Sequence, residues 1–390
     1  MIYNFDEIID RRGTDAEKYT ELESLYGNKD LIPLWVADMD FKAAEPIIDA
    51  IKTRTQKGIY GYTVKPEGYF AAVAAFQRRR KAWEIDTSLM CGSLGVVPSI
   101  CMLIRELTCP EDKIIIQTPV YRPFFNVVKD AQRELLENPL KETDGHYSMD
   151  FEDLEAKARL GAKWLILCSP HNPVGRVWTR EELERLSEIC IKYGIKVIAD
   201  EIHSDIVLWG NKHIPFSAIS EEARKLTFTC IAASKTFNLA GLQSAIVIFP
   251  DEKSKAAFER AWAKLHIECN NCFSLVATQA AYQYGEEWLD QLIPYIEGNI
   301  NTVMEFCHKH LPVIKLTRPG GTYMLWLDFR QLGVTGKQLT DFIVQKAGLA
   351  MSAGTYFGKN GEGFMRMNVA CPRSIIEKAL SQLKSAVEQL

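Results

Sequence analysis

Between residues 90 and 250 short apolar runs alternate with amphipathic ones. "KIIIQTP" (113–119), "KWLILCSP" (163–170), "IKVIAD" (195–200), "FTCIAAS" (228–234) and "SAIVIF" (244–249) are rich in β-formers and read as buried strands. Between two of them lies "TREELERLSEICIKYG" (179–194), with Thr179 and Glu182 spaced as a capping box and Gly194 as a terminator, so it predicts a helix. Strands alternating with helices imply a mainly parallel sheet covered on both faces, an α/β fold. Small residues in "CGSLGVVPSI" (91–100) lead into an apolar helix beginning near Gly95.

After about residue 285 the texture changes. Long helical stretches surround "GGTYMLWLDF" (320–329) and "FMRMNVA" (364–370), which read as strands of a smaller α+β unit, and "PRSIIEKALSQLKSAVEQL" predicts a last helix from near Pro372. The first 30 or so residues do not fit the large sheet and are expected to form an arm or to join the smaller unit. There is no internal repeat and no low-complexity segment.

A chain of 390 residues is too long for one simple core, so two domains are expected. The net charge of -4 gives no footprint for nucleic acid, and no apolar run is long enough to span a bilayer. The start "MIYNFDEIIDRRG" has acids where a signal peptide needs a basic start, so a cytoplasmic protein without membrane partners is expected. The ten cysteines then read as buried thiols rather than disulfides. His266, Cys269 and Cys272 in "HIECNNC" could form a redox motif or half a zinc site, but no second ligand pair lies at finger-like spacing, so packing is expected and no metal.

Four features fall at strand ends or turns. The start of the helix near Gly95 offers backbone N–H groups to an anion, and Ser93 could add a hydroxyl. "SPHNPVGR" (169–176) is an irregular loop after a strand, with Asn172 placed to hydrogen-bond at the sheet edge or to close its own turn. In "ADEIHSD" (199–205) Asp200 follows an apolar run, so it is expected to be buried and to want a cationic or N–H partner, such as the protonated ring nitrogen of a cofactor; His203 lies three residues on and could support the same ring. Lys235 ends the run "FTCIAAS", and open α/β sheets build their sites at strand ends. Lys235 and Asp200 together are the pair that pyridoxal phosphate chemistry needs: an amine for the aldehyde and a carboxylate for the pyridine nitrogen. Residues 92–95 and Ser234 could hold the phosphate, and Tyr121 in "TPVYRPFF" could cover the ring.

The order "GSLG", "PVYRPF", "SPHNPVG", "ADEIHSD", "SKTFNLAG", "RMNVACP" resembles fold-type I pyridoxal-phosphate enzymes of the aminotransferase class I/II family over nearly the whole chain. "IPLWVADMDF" (32–41), "YGYT" (60–63) and "DEIHSD" are more similar to its cystathionine β-lyase or C–S lyase branch. The resemblance implies a large domain with a mainly parallel seven-stranded sheet sandwiched by helices, plus a smaller α+β domain. The expected division is an arm with part of the small domain (1–45), a large cofactor-binding domain (46–285) and a C-terminal small domain (286–390). It implies that Lys235 is the Schiff-base lysine and the catalytic base. Asp200 would bind the pyridine nitrogen, Asn172 the phenolic oxygen, and Tyr121 would stack on the ring. Ser93, Leu94 and Ser234 would hold the phosphate, the first two largely through backbone N–H. Tyr62, and with it Tyr60, would reach the phosphate of a neighbouring subunit, implying a homodimer with shared sites. Arg366 would clamp the substrate carboxylate by a bidentate pair, where the alternative is a surface ion pair.

Two positions depart from the mainstream aminotransferase pattern. His203 stands where those enzymes usually carry a Tyr, and Gln243, eight residues after Lys235, where they carry an Arg or Lys on the phosphate. Both departures fit the lyase branch. The expected reaction is α,β-elimination on L-cystathionine or another cysteine S-conjugate, with transamination as the alternative. A third reading, also from the resemblance, is a pyridoxal-phosphate-bound regulatory protein that binds a transcription regulator.

Overall fold

The computed structural model describes residues 1–267 and 270–390. Its centre is a seven-stranded sheet in the order Met90–Ser93, Ala245–Ile248, Thr227–Ile231, Lys196–Asp200, Ala162–Cys168, Lys113–Ile116, Glu134–Glu137. Ala245–Ile248 runs antiparallel to both neighbours, and every other pairing is parallel. All five apolar runs of the central region are strands of this sheet. They lack polar alternation because successive residues face two different cores. Ile114 and Ile116 pack with Val96, Ile100 and Phe124 on one side, whereas Ile115 packs with Leu183 and Leu186 on the other. Two strands carry no such signal. Met90–Ser93 is short and contains Gly92, and Glu134–Glu137 is an edge strand with exposed glutamates at both ends.

The helix Arg180–Tyr193 has the ends that its sequence predicts. Thr179 Oγ1 accepts from the Glu182 N–H at 3.2 Å, the Thr179 N–H donates to Glu182 Oε2 at 2.8 Å, and Gly194 closes the helix at φ 65°. Leu183, Leu186 and Cys190 face the sheet. Strand Thr227–Ile231 ends earlier than its apolar run suggests. Residues Ala233–Thr236 form one helical turn, so Lys235 stands on that turn rather than on the strand itself.

A second, antiparallel sheet has the order Lys315–Leu316, Met324–Asp328, Phe364–Asn368, Ser352–Ala353. Arg366 lies in its interior, opposite Trp326 on one side and Ser352 on the other. The final helix, Arg373–Val387, follows Pro372. Near the N-terminus, Ile32–Pro33 pairs in parallel with Leu349–Ala350. The chain then continues as an irregular strap, residues 34–41, between the two sheets.

Every described cysteine is free; Cys109 is exposed and Cys101 half-buried, while the rest are buried as their apolar contexts predict. Cys269 of the C-x-x-C stretch lies outside the described residues. Among the described residues no helix is long and apolar enough to cross a membrane.

Candidate active site

The parallel strands deliver their carboxyl ends to one place, as open α/β sheets do. Asp200 and Cys168 are the last residues of neighbouring strands and lie opposite each other in register. Asn172 follows in the next loop, Tyr121 precedes the helix Pro123–Asp130, and Lys235 follows Thr227–Ile231. With Ala37, Leu94, Gly95, His203, Ser234 and Gln243, these side chains line a cavity of about 200 Å³.

The charges around this cavity are poorly neutralised. Asp200 is buried and accepts one backbone N–H, from Ile202 at 3.1 Å. Desolvation pushes its pKa up to about 7, against the pull of that N–H and of Lys235. The adjacent Glu201 differs, since its carboxylate is taken by His213 Nε2 at 3.0 Å and the Phe216 N–H at 2.9 Å. Lys235 Nζ donates to the Ala37 carbonyl at 2.8 Å. Burial lowers its pKa to about 8, with Asp38 and Asp200 opposing and Arg366 assisting. His203 is buried, its Nδ1 has no partner, and burial lowers its pKa to about 3, so its imidazole is neutral at ordinary pH. Burial pushes the Tyr121 hydroxyl up to about 12.

Arg366 is buried and forms no ion pair among the described residues, which excludes the surface ion pair as its role. Its Nη1 donates to Asn172 Oδ1 at 3.1 Å, and its Nη2 to the Trp35 carbonyl at 2.7 Å and Ser352 Oγ at 3.2 Å. Its Nε is unpartnered, its guanidinium lies 4.9 Å from the Phe357 ring centre, and burial lowers its pKa to about 10. A buried cation with no carboxylate beside it is costly unless an anionic ligand arrives.

The far end of the cavity is the start of the helix Val96–Leu107, where Gly95 makes no side-chain cap and the first N–H groups have no intrahelical partner. Leu94, Gly95, Val96 and Val97 line the cavity here, and Ser234 and Gln243 belong to the same lining. Ser93 does not line it. Its hydroxyl accepts from Ser99 at 2.7 Å, so the expected Ser93 hydroxyl contact gives way to the next residues along the turn. Tyr60 and Tyr62 are also outside the cavity of their own chain. Tyr60 packs on Phe273 and Tyr62 is fully exposed.

Sequence reasoning missed Ala37 and Tyr323. Ala37 lies inside "WVADMD", a stretch that the resemblance marks only as a block. Tyr323 lies in an apolar strand run, where an aromatic residue signals core packing.

These residues fit pyridoxal phosphate. The cavity offers a buried carboxylate without a cation for the ring nitrogen, a buried amine for the aldehyde, an orphaned imidazole atom beside the ring's place and open helix N–H groups for a phosphate. The chain matches the family model "Aminotransferase class I and II" over residues 29–383. It is 41% identical to "Cystathionine beta-lyase PatB" of Bacillus subtilis, over 98% of this chain and all of that one. Cystalysin of Treponema denticola, whose crystal structure contains pyridoxal 5'-phosphate, superposes with a TM-score of 0.97 at 35% identity, covering 100% of both chains. A pyridoxal-phosphate-bound C–S lyase from Staphylococcus hominis superposes with a TM-score of 0.91 at 34% identity, covering 99% of this chain and 98% of its own.

Proposed function

The chain belongs to the aminotransferase class I and II family, and from that premise we propose that it is a pyridoxal-phosphate-dependent carbon–sulfur β-lyase acting on L-cystathionine or other cysteine S-conjugates. The observation that carries this reading is the set of un-neutralised buried charges, Asp200, Lys235 and Arg366, around one cavity, in a chain so similar to a cystathionine β-lyase. The overall change is an α,β-elimination: L-cystathionine and water give homocysteine, pyruvate and ammonia.

Pyridoxal phosphate, when bound, supplies an aldehyde that condenses with amines and a ring that accepts the electron pair left at a substrate α carbon. Everything else is work for this chain. Asp200 receives the protonated ring nitrogen and keeps it charged, which also relieves the cost of its own burial. Leu94–Val97 and Ser234 hold the phosphate, largely through backbone N–H groups, and Tyr121 covers the ring face. Gln243 leaves that end with one cation fewer than a Lys or Arg would give. Arg366 binds the substrate α-carboxylate and Asn172 fixes the guanidinium that does so. Lys235 Nζ takes the α-proton; burial holds its pKa near 8, so a usable fraction is neutral near pH 7.

The active form is a homodimer with shared sites. Supporting this is the exposed segment around Tyr62, where Ile59, Tyr60 and Val64 also present apolar surface to solvent. Tyr62 reaches the phosphate end of the neighbouring subunit's cavity. The protein works in the cytoplasm.

The test is to mix cofactor-loaded protein with L-cystathionine and follow pyruvate and free thiol together, beside a Lys235→Ala control. Both products in equal amount, lost in the control, are expected. Neither product, with conversion of the cofactor to its amino form when amino acids are added, would move the assignment to an aminotransferase.

A further inference from the structure

Lys235 Nζ is not alone on the Ala37 carbonyl. The Tyr323 hydroxyl donates to the same oxygen at 2.9 Å, beside the lysine's 2.8 Å. Among the described residues, each of these donors has that oxygen as its hydrogen-bond acceptor. Tyr323 is buried, immediately precedes the strand Met324–Asp328 of the antiparallel sheet and stands edge-on to His203, with ring centres 5.9 Å apart. Its hydroxyl is therefore held by packing, and burial pushes its ionisation far up, so it stays a donor at every working pH.

Resting on the lyase reading above, we propose that Tyr323 is a positioning residue for Lys235: its hydroxyl shares the Ala37 carbonyl with the lysine and keeps that carbonyl bonded when the lysine turns to the cofactor. Two consequences follow from one acceptor serving two donors. While both donate, the carbonyl is a weaker acceptor for the ammonium than it would be alone, which favours the neutral amine that the reaction needs. When Lys235 leaves, the strap does not lose its bond at Ala37, so the lysine moves without freeing the segment around it. The other groups facing Lys235 are Asp38 on the strap, Asp200 and His203 at the parallel sheet, Arg366 in the antiparallel sheet and Glu17 on the N-terminal arm. Tyr323→Phe leaves each of these side chains in the molecule.

The experiment uses the cofactor-free full chain and reads Lys235 directly, by the rate of its reductive methylation across a pH series, quantified by peptide mass spectrometry. Tyr323→Phe keeps the ring and its packing. It is expected to move the Lys235 curve to higher pH by roughly one unit, because the ammonium gains sole use of the carbonyl. Tyr147→Phe serves as the control. It removes a buried hydroxyl bonded to Trp326 Nε1 and remote from Ala37, so it probes general loosening. Its Lys235 curve is expected to stay with the unaltered chain. An unshifted curve in Tyr323→Phe, or an equal shift in Tyr147→Phe, overturns the proposal. Failure of the lyase assignment would show separately, as cofactor uptake without pyruvate from the unaltered chain.

Discussion

Asp200 and Glu201 are adjacent, both buried, and differently served. Glu201 has a histidine and a backbone N–H, while Asp200 has one N–H and a carboxyl whose pKa burial raises from 3.8 to about 7. Between those two pH values Asp200 in the folded, cofactor-free chain holds a proton that it has released in the unfolded chain, so its contribution to stability falls as pH rises from about 4 to about 7, while buried His203 and His171, whose pKa values burial lowers to about 3 and about 4, contribute with the opposite sign below pH 6.5. The loss is of order a few kcal/mol, and pyridoxal phosphate, by giving Asp200 a cationic partner, is expected to abolish most of it. Chemical denaturation at a series of pH values, with and without cofactor, measures this: without cofactor, the unaltered chain should lose stability relative to Asp200→Asn as pH rises from about 5 to about 7. A stability difference between these two cofactor-free chains that stays constant from pH 5 to pH 7 would refute the unpaired state of Asp200. Lys235 contributes with the opposite sign and at higher pH. Its pKa is lowered from 10.5 to about 8, so its contribution makes the folded state more stable as pH rises through that interval.

At the scale of elements, the strap at residues 34–41 is the unusual one. It has no regular ladder, and its carbonyls from Trp35 to Met39, with that of Phe41, accept from side chains elsewhere. Arg366 and Ser352 serve Trp35, Lys235 and Tyr323 serve Ala37, and Asn238 serves Met39 and Phe41. Asn368 Nδ2 bridges the Val36 and Asp38 carbonyls, both at 2.6 Å, while its Oδ1 accepts the Ala370 N–H at 2.7 Å. The strap thus takes its shape from the same side chains that define the cavity. Asn368→Leu removes two donors and an acceptor while nearly keeping volume. It is expected to cost about 2–3 kcal/mol of stability and to raise KM for cystathionine more than it lowers kcat, because the strap carries the Arg366 and Lys235 anchors. Urea titration and steady-state kinetics read the two effects. An unchanged KM would show that the strap's shape does not depend on this bridge.

Across the whole molecule, the N-terminal arm is tied to the strap by charge. Lys18, fully buried, donates to Asp40 at 2.7 Å, and Arg11 bonds Asp38 at 2.6 Å and Asp40 at 2.7 Å. Two cations against two carboxylates make the cluster neutral, which is what permits Lys18 to be buried. The segment around Tyr62 is exposed in its own chain. If sites are shared between subunits, Tyr62→Ala and Lys235→Ala lie in different chains of one site. Each variant alone should be impaired. Mixing them under conditions that exchange subunits should restore activity, because each mixed dimer holds one site with an intact Lys235 and its neighbour's Tyr62. No recovery on mixing, with exchange verified by mass, would argue that each chain completes its own site.

Much was readable without coordinates, and the reason is local. Strands buried on both faces must be continuously apolar, so the five central runs declared themselves. A capping box and a left-handed glycine depend only on neighbours in sequence, so the helix 180–193 has the ends that were expected. Lys235, Asp200, Asn172 and Tyr121 stood out because chain order and strand ends locate a site in a parallel sheet. Tertiary structure alone decided the rest. Met90–Ser93 is a strand because Ala245–Ile248 pairs with it, not because Gly92 and Ser93 favour extension. The Ser93 hydroxyl accepts from Ser99 rather than facing the cavity, a choice between partners that only packing could make. Tyr323 and Lys235 meet Ala37 across 286 and 198 residues of chain. No periodicity or spacing encodes such a meeting, because it depends on how two sheets and the strap between them fit together in space.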